Sequence, residues 1–185
     1  MLIQSGLAVF MVESDASWFA ADVIDTISRA LKDHDVVSAD DFYNLRNEYR
    51  RTISAGFMAC RSTKYVRRIF YGYTKQYISY IQDMNWIMRK VEKVEGEQIL
   101  LTNLLEKEQN AIPHTVAVAW LDGCEFVNGQ WYNDTGYRSA CPHPKVVQNN
   151  WIIGIDKNIT RAKKENHWFL NEDGNDCAVP VHFDI

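Results

Sequence analysis

Residues 70–105 read FYGYTKQYISYIQDMNWIMRKVEKVEGEQILLTNLL, and their spacing is the strongest pattern in the sequence. Apolar and aromatic residues recur there at alternating intervals of three and four, which is the a/d pattern of a helix with one buried seam. No proline occurs in residues 1–112, and Gly96 is the weak point, costing about 1 kcal/mol relative to alanine in a helix interior. The pattern predicts one long helix over about 61–109, with or without a kink at Gly96.

A helix of that length would run roughly 70 Å at 1.5 Å per residue. The other helices of a small helical region could bury only part of its apolar seam. The aromatic first half of its seam suits packing against the chain's other helices. The second half suits a second copy of the chain, which predicts a homodimer. The seam residues of that second half are Met84, Ile87, Val91, Val94, Leu101 and Leu105.

Helical spacing also extends upstream of the long helix. Apolar residues over 16–31 predict a helix capped by Ser14, and Ser38 begins a second helix whose buried stripe includes Ile53 and Phe57. After Pro113 the pattern changes to short apolar runs, with an Asn128-Gly129 pair that is typical of a hairpin turn. Runs of helices followed by runs of strands predict an α+β protein, with an N-terminal helical region over 1–112 and a small, mainly antiparallel β-rich domain over 113–185.

The composition is that of an ordinary globular protein. Apolar residues make up 46% and charged residues 24% of the 185 residues, which excludes a disordered or low-complexity chain. No apolar run approaches the roughly 18 residues that a membrane helix needs, and the N-terminus lacks the basic flank and cleavage site of a signal peptide. We therefore expect a cytoplasmic protein with no membrane partner, whose four cysteines are reduced.

Basic residues are concentrated in the middle of the chain. Residues 46–93 carry eleven basic and three acidic side chains, whereas the overall net charge is −4. Cations on one exposed helix face, with an aromatic ring among them, suit contact with nucleic acid or another macromolecule, although a solvated face gives the same pattern. The candidate binding residues are Arg61, Lys64, Arg68, Tyr71, Lys75 and Arg89.

Cysteine and histidine residues in 113–185 offer two weaker candidates. Cys141, His143, Cys177 and His182 form a possible zinc set, but their spacing matches no common C-x₂₋₄-C site. Cys124, with His167 downstream, superficially matches a thiol hydrolase, but it precedes a predicted hairpin rather than the helix that would activate it. We therefore predict no metal and no cofactor, and keep a metal- or cysteine-dependent hydrolase as an alternative.

Common catalytic signatures are missing from the sequence. It contains no G-x-x-x-x-G-K-[ST], G-x-G-x-x-G, G-x-S-x-G or H-E-x-x-H motif. The long seam and the charge distribution favour a non-enzymatic protein that binds another protein, or itself as a homodimer, through its helical surface. Nucleic-acid binding through residues 46–93 is the second alternative.

Overall fold

The fold combines a four-stranded and a three-stranded sheet with helices packed against them. The computed structural model describes residues 5–41, 51–82, 97–111 and 115–171. In this part of the chain the strands are β1 (Val9–Val12), β2 (Ala16–Trp18), β3 (Val36–Asp40), β4 (Ile53–Cys60), β5 (Val118–Trp120), β6 (Phe126–Val127) and β7 (Val146–Gln148). The α-helices are α1 (Val23–Asp33), α2 (Lys64–Gln82), α3 (Glu97–Gln109), α4 (Thr135–Ala140) and α5 (Ile155–Lys164), and a 3₁₀ helix spans Gly129–Tyr132.

Both sheets are mixed, and each contains strands from both halves of the chain. The larger sheet has the order β1-β4-β3-β5, in which β4 runs antiparallel to β1 and β3, and β3 runs parallel to β5. The smaller sheet has the order β2-β7-β6, with β2 antiparallel and β6 parallel to β7. The predicted α+β class is therefore wrong: the arrangement is mixed α/β, not a helical region followed by a small antiparallel β region.

Strand β4 is buried on both of its faces. Met58 and Cys60 point toward α2 and α3, whereas Phe57 and Ala59 pack with α1 and the smaller sheet. Because both faces are buried, the residues on both faces are mostly apolar. The strand therefore lacks the alternation of polar and apolar residues that marks a half-exposed strand. Ile53 and Phe57 happen to be four residues apart, which is why the spacing predicted a helix there.

The predicted long helix is wrong because α2 and α3 fold back on each other. Arg68 of α2 hydrogen bonds with Glu108 of α3, 40 residues later. In a straight helix those residues would be about 60 Å apart. Residues 83–96, which contain Met84, Ile87, Val91 and Val94, lie outside the described residues.

The second half of the predicted seam contributes to the chain's own core. Leu101 and Leu105 are only 3% and 2% exposed, packed in one cluster with Val66 and Phe70 of α2. These two leucines are therefore covered within one chain and are not available to a second copy.

Three more local predictions are corrected. Ala16–Trp18 is a strand, and α1 begins only at Val23. Ser38 lies within β3 instead of capping a helix. Asn128 does not make a hairpin turn: its side chain caps the 3₁₀ helix by accepting a hydrogen bond from the Gln130 N–H.

Two of the cysteines form a disulfide. Cys124 and Cys141 are joined across a sequence separation of 17 residues, so the prediction of reduced cysteines is wrong for this pair. Cys60 is a free, buried thiol. Within the described ranges, no helix is both long enough and apolar enough to cross a membrane.

Candidate active site

A cavity of about 820 Å³ opens where β1 passes into β2. We call it the Asp15 cavity. Its size falls in the usual range for small-molecule sites. It is lined by residues 13–17, 149, 152, 154–155, 158–159, 162 and 167–170.

Asp15 lines this cavity, and one of its carboxylate oxygens lacks a hydrogen-bond partner among the described residues. The Asn158 side-chain amide donates to Asp15 Oδ2 at 3.2 Å, and the backbone N–H of Asn149 donates to the Asp15 carbonyl at 3.1 Å. Asp15 Oδ1 is buried and has no hydrogen-bond partner in the described part of the chain. Such an oxygen is costly to bury, and it is typical of a place where a ligand or cation completes the set of contacts.

Glu13 adds a second carboxylate two residues earlier. Its backbone N–H donates to the Gly56 carbonyl at 2.8 Å, which continues the β1–β4 pairing. Its side chain lies directly over Gly56, where an added Cβ would come within 2.3 Å of the Glu13 Cδ. Gly56 therefore makes room for this carboxylate at the carboxyl end of β1, the edge at which α/β proteins usually bind ligands.

The beginning of α5 also lines the cavity. Gly154 has a φ of 103°, a conformation that favours glycine, and no side chain caps the helix there. Gly154 and Ile155 line the cavity, so N–H groups of the first helical turn lie beside it. Trp168 Nε1 is a second buried group that lacks a partner among the described residues, and it is a donor. The cavity lining thus combines carboxylates with N–H donors.

His167 closes one end of the cavity and is paired with Tyr132. His167 Nδ1 lies 2.6 Å from the Tyr132 hydroxyl, which leaves Nε2 as the ring nitrogen available to a ligand. Burial lowers the pKa of His167 and raises that of Tyr132. Both side chains are therefore neutral at pH 7.

A buried carboxylate fixes the segment behind the cavity. Asp41, directly after β3, is 5% exposed and accepts hydrogen bonds from Gln98 Nε2 at 2.9 Å and Asn150 Nδ2 at 2.8 Å. Its carbonyl accepts from the side chains of Asn128 and Trp151. These contacts hold the chain beside Asn149, which itself lines the cavity.

The predicted binding residues lie elsewhere. Arg61, Lys64, Arg68, Tyr71 and Lys75 are all exposed, on α2 or just before it, and none lines the Asp15 cavity. Arg68 pairs with Glu108, and the Lys75 ammonium lies 4.8 Å from the centre of the Tyr71 ring. Arg89 is outside the described residues.

The structure also removes two thiols from the candidate chemistry. Cys141 of the possible zinc set is in the disulfide, while Cys177 and His182 lie outside the described residues. Cys124 is the other half of that disulfide, so it cannot be a nucleophile in this state. Over the described ranges, no group of three or more His, Cys, Asp or Glu residues could hold a metal on its own.

Sequence reasoning missed the Asp15 cavity although a signal was present. Glu13 and Asp15 follow the apolar stretch of residues 7–12, and carboxylates directly after a buried strand are candidates for a site at its carboxyl end. The predicted helix capped by Ser14 conflicts with this interpretation, because it places a helix where strand β1 ends and β2 begins. The unpartnered state of Asp15 Oδ1 depends on tertiary packing and has no counterpart in the sequence.

The protein has a mixed α/β fold, and its Asp15 cavity is lined by two carboxylates at the carboxyl end of a strand. The family model described as nucleotide-diphospho-sugar transferase matches residues 1–162, and the chain belongs to this family. No curated protein and no solved structure matches the chain.

Family membership corrects the functional prediction. The family points to a glycosyltransferase, which overturns the non-enzymatic, coiled-coil, protein-binding interpretation. It equally overturns both alternatives, nucleic-acid binding through residues 46–93 and a hydrolase in 113–185. The homodimer stays a prediction.

Proposed function

We propose that this chain transfers a sugar from a nucleoside diphosphate to an acceptor hydroxyl, with the donor bound in the Asp15 cavity. The family match supports the reaction class, and the unpartnered oxygen of Asp15 is the observation that selects this cavity. In the transfer, the bond from the anomeric carbon to the diphosphate oxygen breaks, and its electron pair leaves with the nucleoside diphosphate. The acceptor oxygen bonds to the anomeric carbon, and the acceptor releases its proton.

The charge of the cavity implies a divalent cation with the donor. The lining includes Glu13 and Asp15 but no lysine or arginine, so a bare diphosphate would be repelled. Mg²⁺ at nucleotide sites is typically held by one or two carboxylates together with phosphate oxygens and water. Glu13 and Asp15 fit that donor set and would hold the ion. The ion would neutralise the negative charge on the departing diphosphate.

Other lining residues suit the remaining parts of a nucleotide sugar. The first-turn N–H groups of α5 are an anion-binding feature, and they face a cavity that offers no cationic side chain. Trp168 Nε1 can donate to a phosphate or sugar oxygen. Ile152, Ile155 and Phe169 provide apolar wall for a base and exclude water from it.

The proposal is tested by nucleotide binding to the full chain. UDP, GDP, ADP and dTDP are titrated calorimetrically, with MgCl₂ or MnCl₂ in one series and EDTA in the other. We expect at least one diphosphate to bind with the metal and to lose most of its affinity with EDTA. The corresponding nucleotide sugar is then assayed for release of the nucleoside diphosphate.

A pair of isosteric variants locates the site. Asp15→Asn keeps the size of the side chain but removes its charge, so metal-dependent affinity should fall by about tenfold or more, as expected when one charged contact is lost. Asp33→Asn makes the same change at an exposed position on α1 that does not line the cavity, and it should bind like the wild type. Failure of every diphosphate to bind, or wild-type affinity in Asp15→Asn, would contradict the proposal.

A further inference from the structure

A second cavity of about 410 Å³ shares His167 with the Asp15 cavity. We call it the aromatic cleft. Its other main lining residues are Phe19, Trp131, His143, Pro144 and Lys145. Because His167 lines both spaces, the two cavities meet at this side chain.

We propose that the aromatic cleft binds a neutral sugar unit of the acceptor, so that an acceptor hydroxyl reaches the donor at His167. The inference deepens the proposed function and rests on it. It adds the chemical class of the acceptor and the residues that recognise it.

Aromatic rings shape the cleft for the apolar face of a sugar. The Phe19 side chain is 43% exposed, and its ring centre lies 4.6 Å from that of His167. Trp131 is only 5% exposed: its ring stacks on His167, at 6.4 Å between ring centres, and the Arg138 guanidinium lies 4.5 Å from the centre of its ring. Phe19 is therefore the exposed ring that a sugar can meet. A pyranose ring presents C–H groups on one face and hydroxyls around its edge, and it packs on such rings through dispersion and burial of apolar surface.

The charge of the cleft favours a neutral ligand over an anionic one. Lys145 is the one lysine or arginine in the cleft lining, and its ammonium lies 2.8 Å from Asp22 Oδ2 and 3.2 Å from Glu125 Oε1. Two carboxylates thus balance that cation before any ligand arrives. Lys145 N–H groups and the exposed His143 ring remain suited to hydrogen bonds with hydroxyls.

The wall of the cleft is held in place without a ligand. The segment that begins at Cys141 is tied by the disulfide to Cys124, and the Trp131 indole N–H donates to the Cys141 carbonyl at 2.9 Å. The backbone N–H of Phe19 donates to the Lys145 carbonyl at 2.8 Å. Pro142 and Pro144 fix two further φ angles. A surface ordered in advance loses less conformational entropy on binding, which suits a weakly bound acceptor.

Saturation-transfer NMR on the full chain tests the proposal. The probes are methyl glycosides of glucose, galactose, mannose, xylose and arabinose, each at about 10 mM because single sugars bind in the millimolar range. We expect at least one glycoside to receive saturation from the wild-type chain. Phe19→Ala should lower its affinity about fivefold, the effect of losing one aromatic contact of about 1 kcal/mol.

Matched variants separate binding from folding. Tyr71→Ala removes an exposed aromatic ring from α2, outside both cavities, and should bind the glycoside like the wild type. His143→Ala removes an exposed cleft side chain and should weaken binding without changing the melting temperature. The proposal is overturned if no glycoside binds to the wild type, or if Phe19→Ala and His143→Ala both bind as the wild type does.

UDP and the other diphosphates are titrated on the same samples. Glycoside binding without any nucleotide binding would overturn the donor site and keep the cleft as a sugar site. Nucleotide binding without glycoside binding would overturn the cleft alone. Failure of the proposed donor site and failure of the proposed acceptor cleft therefore give different results.

Discussion

At the scale of single residues, Asp41 is a buried carboxylate whose two oxygens are both used. Gln98 and Asn150 each donate one N–H to it. In Asp41→Asn one of these oxygens becomes an NH₂ group, so an N–H donor of the new side chain faces the N–H donor of Gln98 or Asn150. We expect the free energy of unfolding to fall by about 1–3 kcal/mol, the usual cost of leaving a buried polar group unpaired. Urea unfolding at pH 7 measures it, with the exposed Asp33→Asn as control; equal midpoints for the two variants would contradict the prediction.

The stabilising effect of Asp41 should also depend on pH. Burial raises its pKa above the usual 3.8, against the opposing effect of hydrogen bonds from Gln98, Trp151 and Asn150. A raised folded-state pKa means that its contribution to stability is fully present below the unfolded-state pKa and is lost as the pH rises through the folded-state pKa. The stability advantage of wild type over Asp41→Asn should therefore shrink as the pH rises from the usual 3.8 through the folded-state pKa. Unfolding curves at several pH values test this, and an advantage that grows with pH would contradict the sign.

His167 should show the opposite pH dependence. Burial lowers its pKa below the usual 6.5, so the unfolded chain takes up a proton at a higher pH than the folded chain does. Its contribution to stability is present above the unfolded-state pKa and is lost as the pH falls through the folded-state pKa. Histidine NMR should place its titration below 6.5, and the stability difference between wild type and His167→Phe should shift against the wild type on acidification. A titration above 6.5 would contradict the prediction.

At the scale of elements, substitutions at two glycines distinguish an effect on the proposed binding site from an effect on helix stability. At Gly72, in the middle of α2, an added Cβ meets nothing within 4 Å. Gly72→Ala should therefore stabilise the chain by about 0.5–1 kcal/mol. At Gly56 the added Cβ meets the Glu13 side chain, which is flexible enough to move.

Gly56→Ala should consequently affect nucleotide binding more than stability. Displacing the Glu13 carboxyl removes one of the two oxygen donors that we assign to the metal, so metal-dependent diphosphate affinity should fall by about tenfold. The melting temperature should change little, because the strain is relieved by one exposed side chain. Calorimetric titration of Gly56→Ala beside Gly72→Ala makes the comparison. Equal nucleotide affinity in the two variants would remove Glu13 from the site.

The secondary-structure elements that the sequence predicts correctly are those marked by the local spacing of apolar residues. The three-and-four pattern correctly marks α2 and α3 as helices, and the short apolar run that begins at Val146 contains strand β7. The packing of α2 against α3 has no comparable signal, since the heptad spacing continues through residues 83–96. The spacing of apolar residues predicts a helix where strand β4 lies, because burial on both faces erases the period of two. The Asp15 cavity could be foreseen only as carboxylates after an apolar run, because its other wall comes from residues more than 130 positions away.

At the scale of the whole molecule, the disulfide ties the segment after β5 to the cleft wall. It closes a loop of 17 residues, and a loop of that length corresponds to about 3 kcal/mol in the chain-entropy account. For a chain of this size, loss of that stabilisation when the bond is reduced corresponds to a fall of roughly 6–12 °C in melting temperature. The third described cysteine does not complicate the experiment, since burial raises the pKa of the Cys60 thiol to about 12 and keeps it unreactive.

Melting with and without a phosphine reductant measures the contribution of this bond. The wild-type chain should melt at a lower temperature when reduced, whereas a Cys124→Ser, Cys141→Ser double variant should already melt low and should not respond to reductant. Methyl glycoside binding should weaken on reduction, because Cys141 begins the wall of the aromatic cleft, while diphosphate binding at the Asp15 cavity should persist, because neither cysteine lines that space. Equal melting of the oxidised and reduced wild type would show that packing of Val127, Trp131 and Tyr137 around the bond holds this region without it.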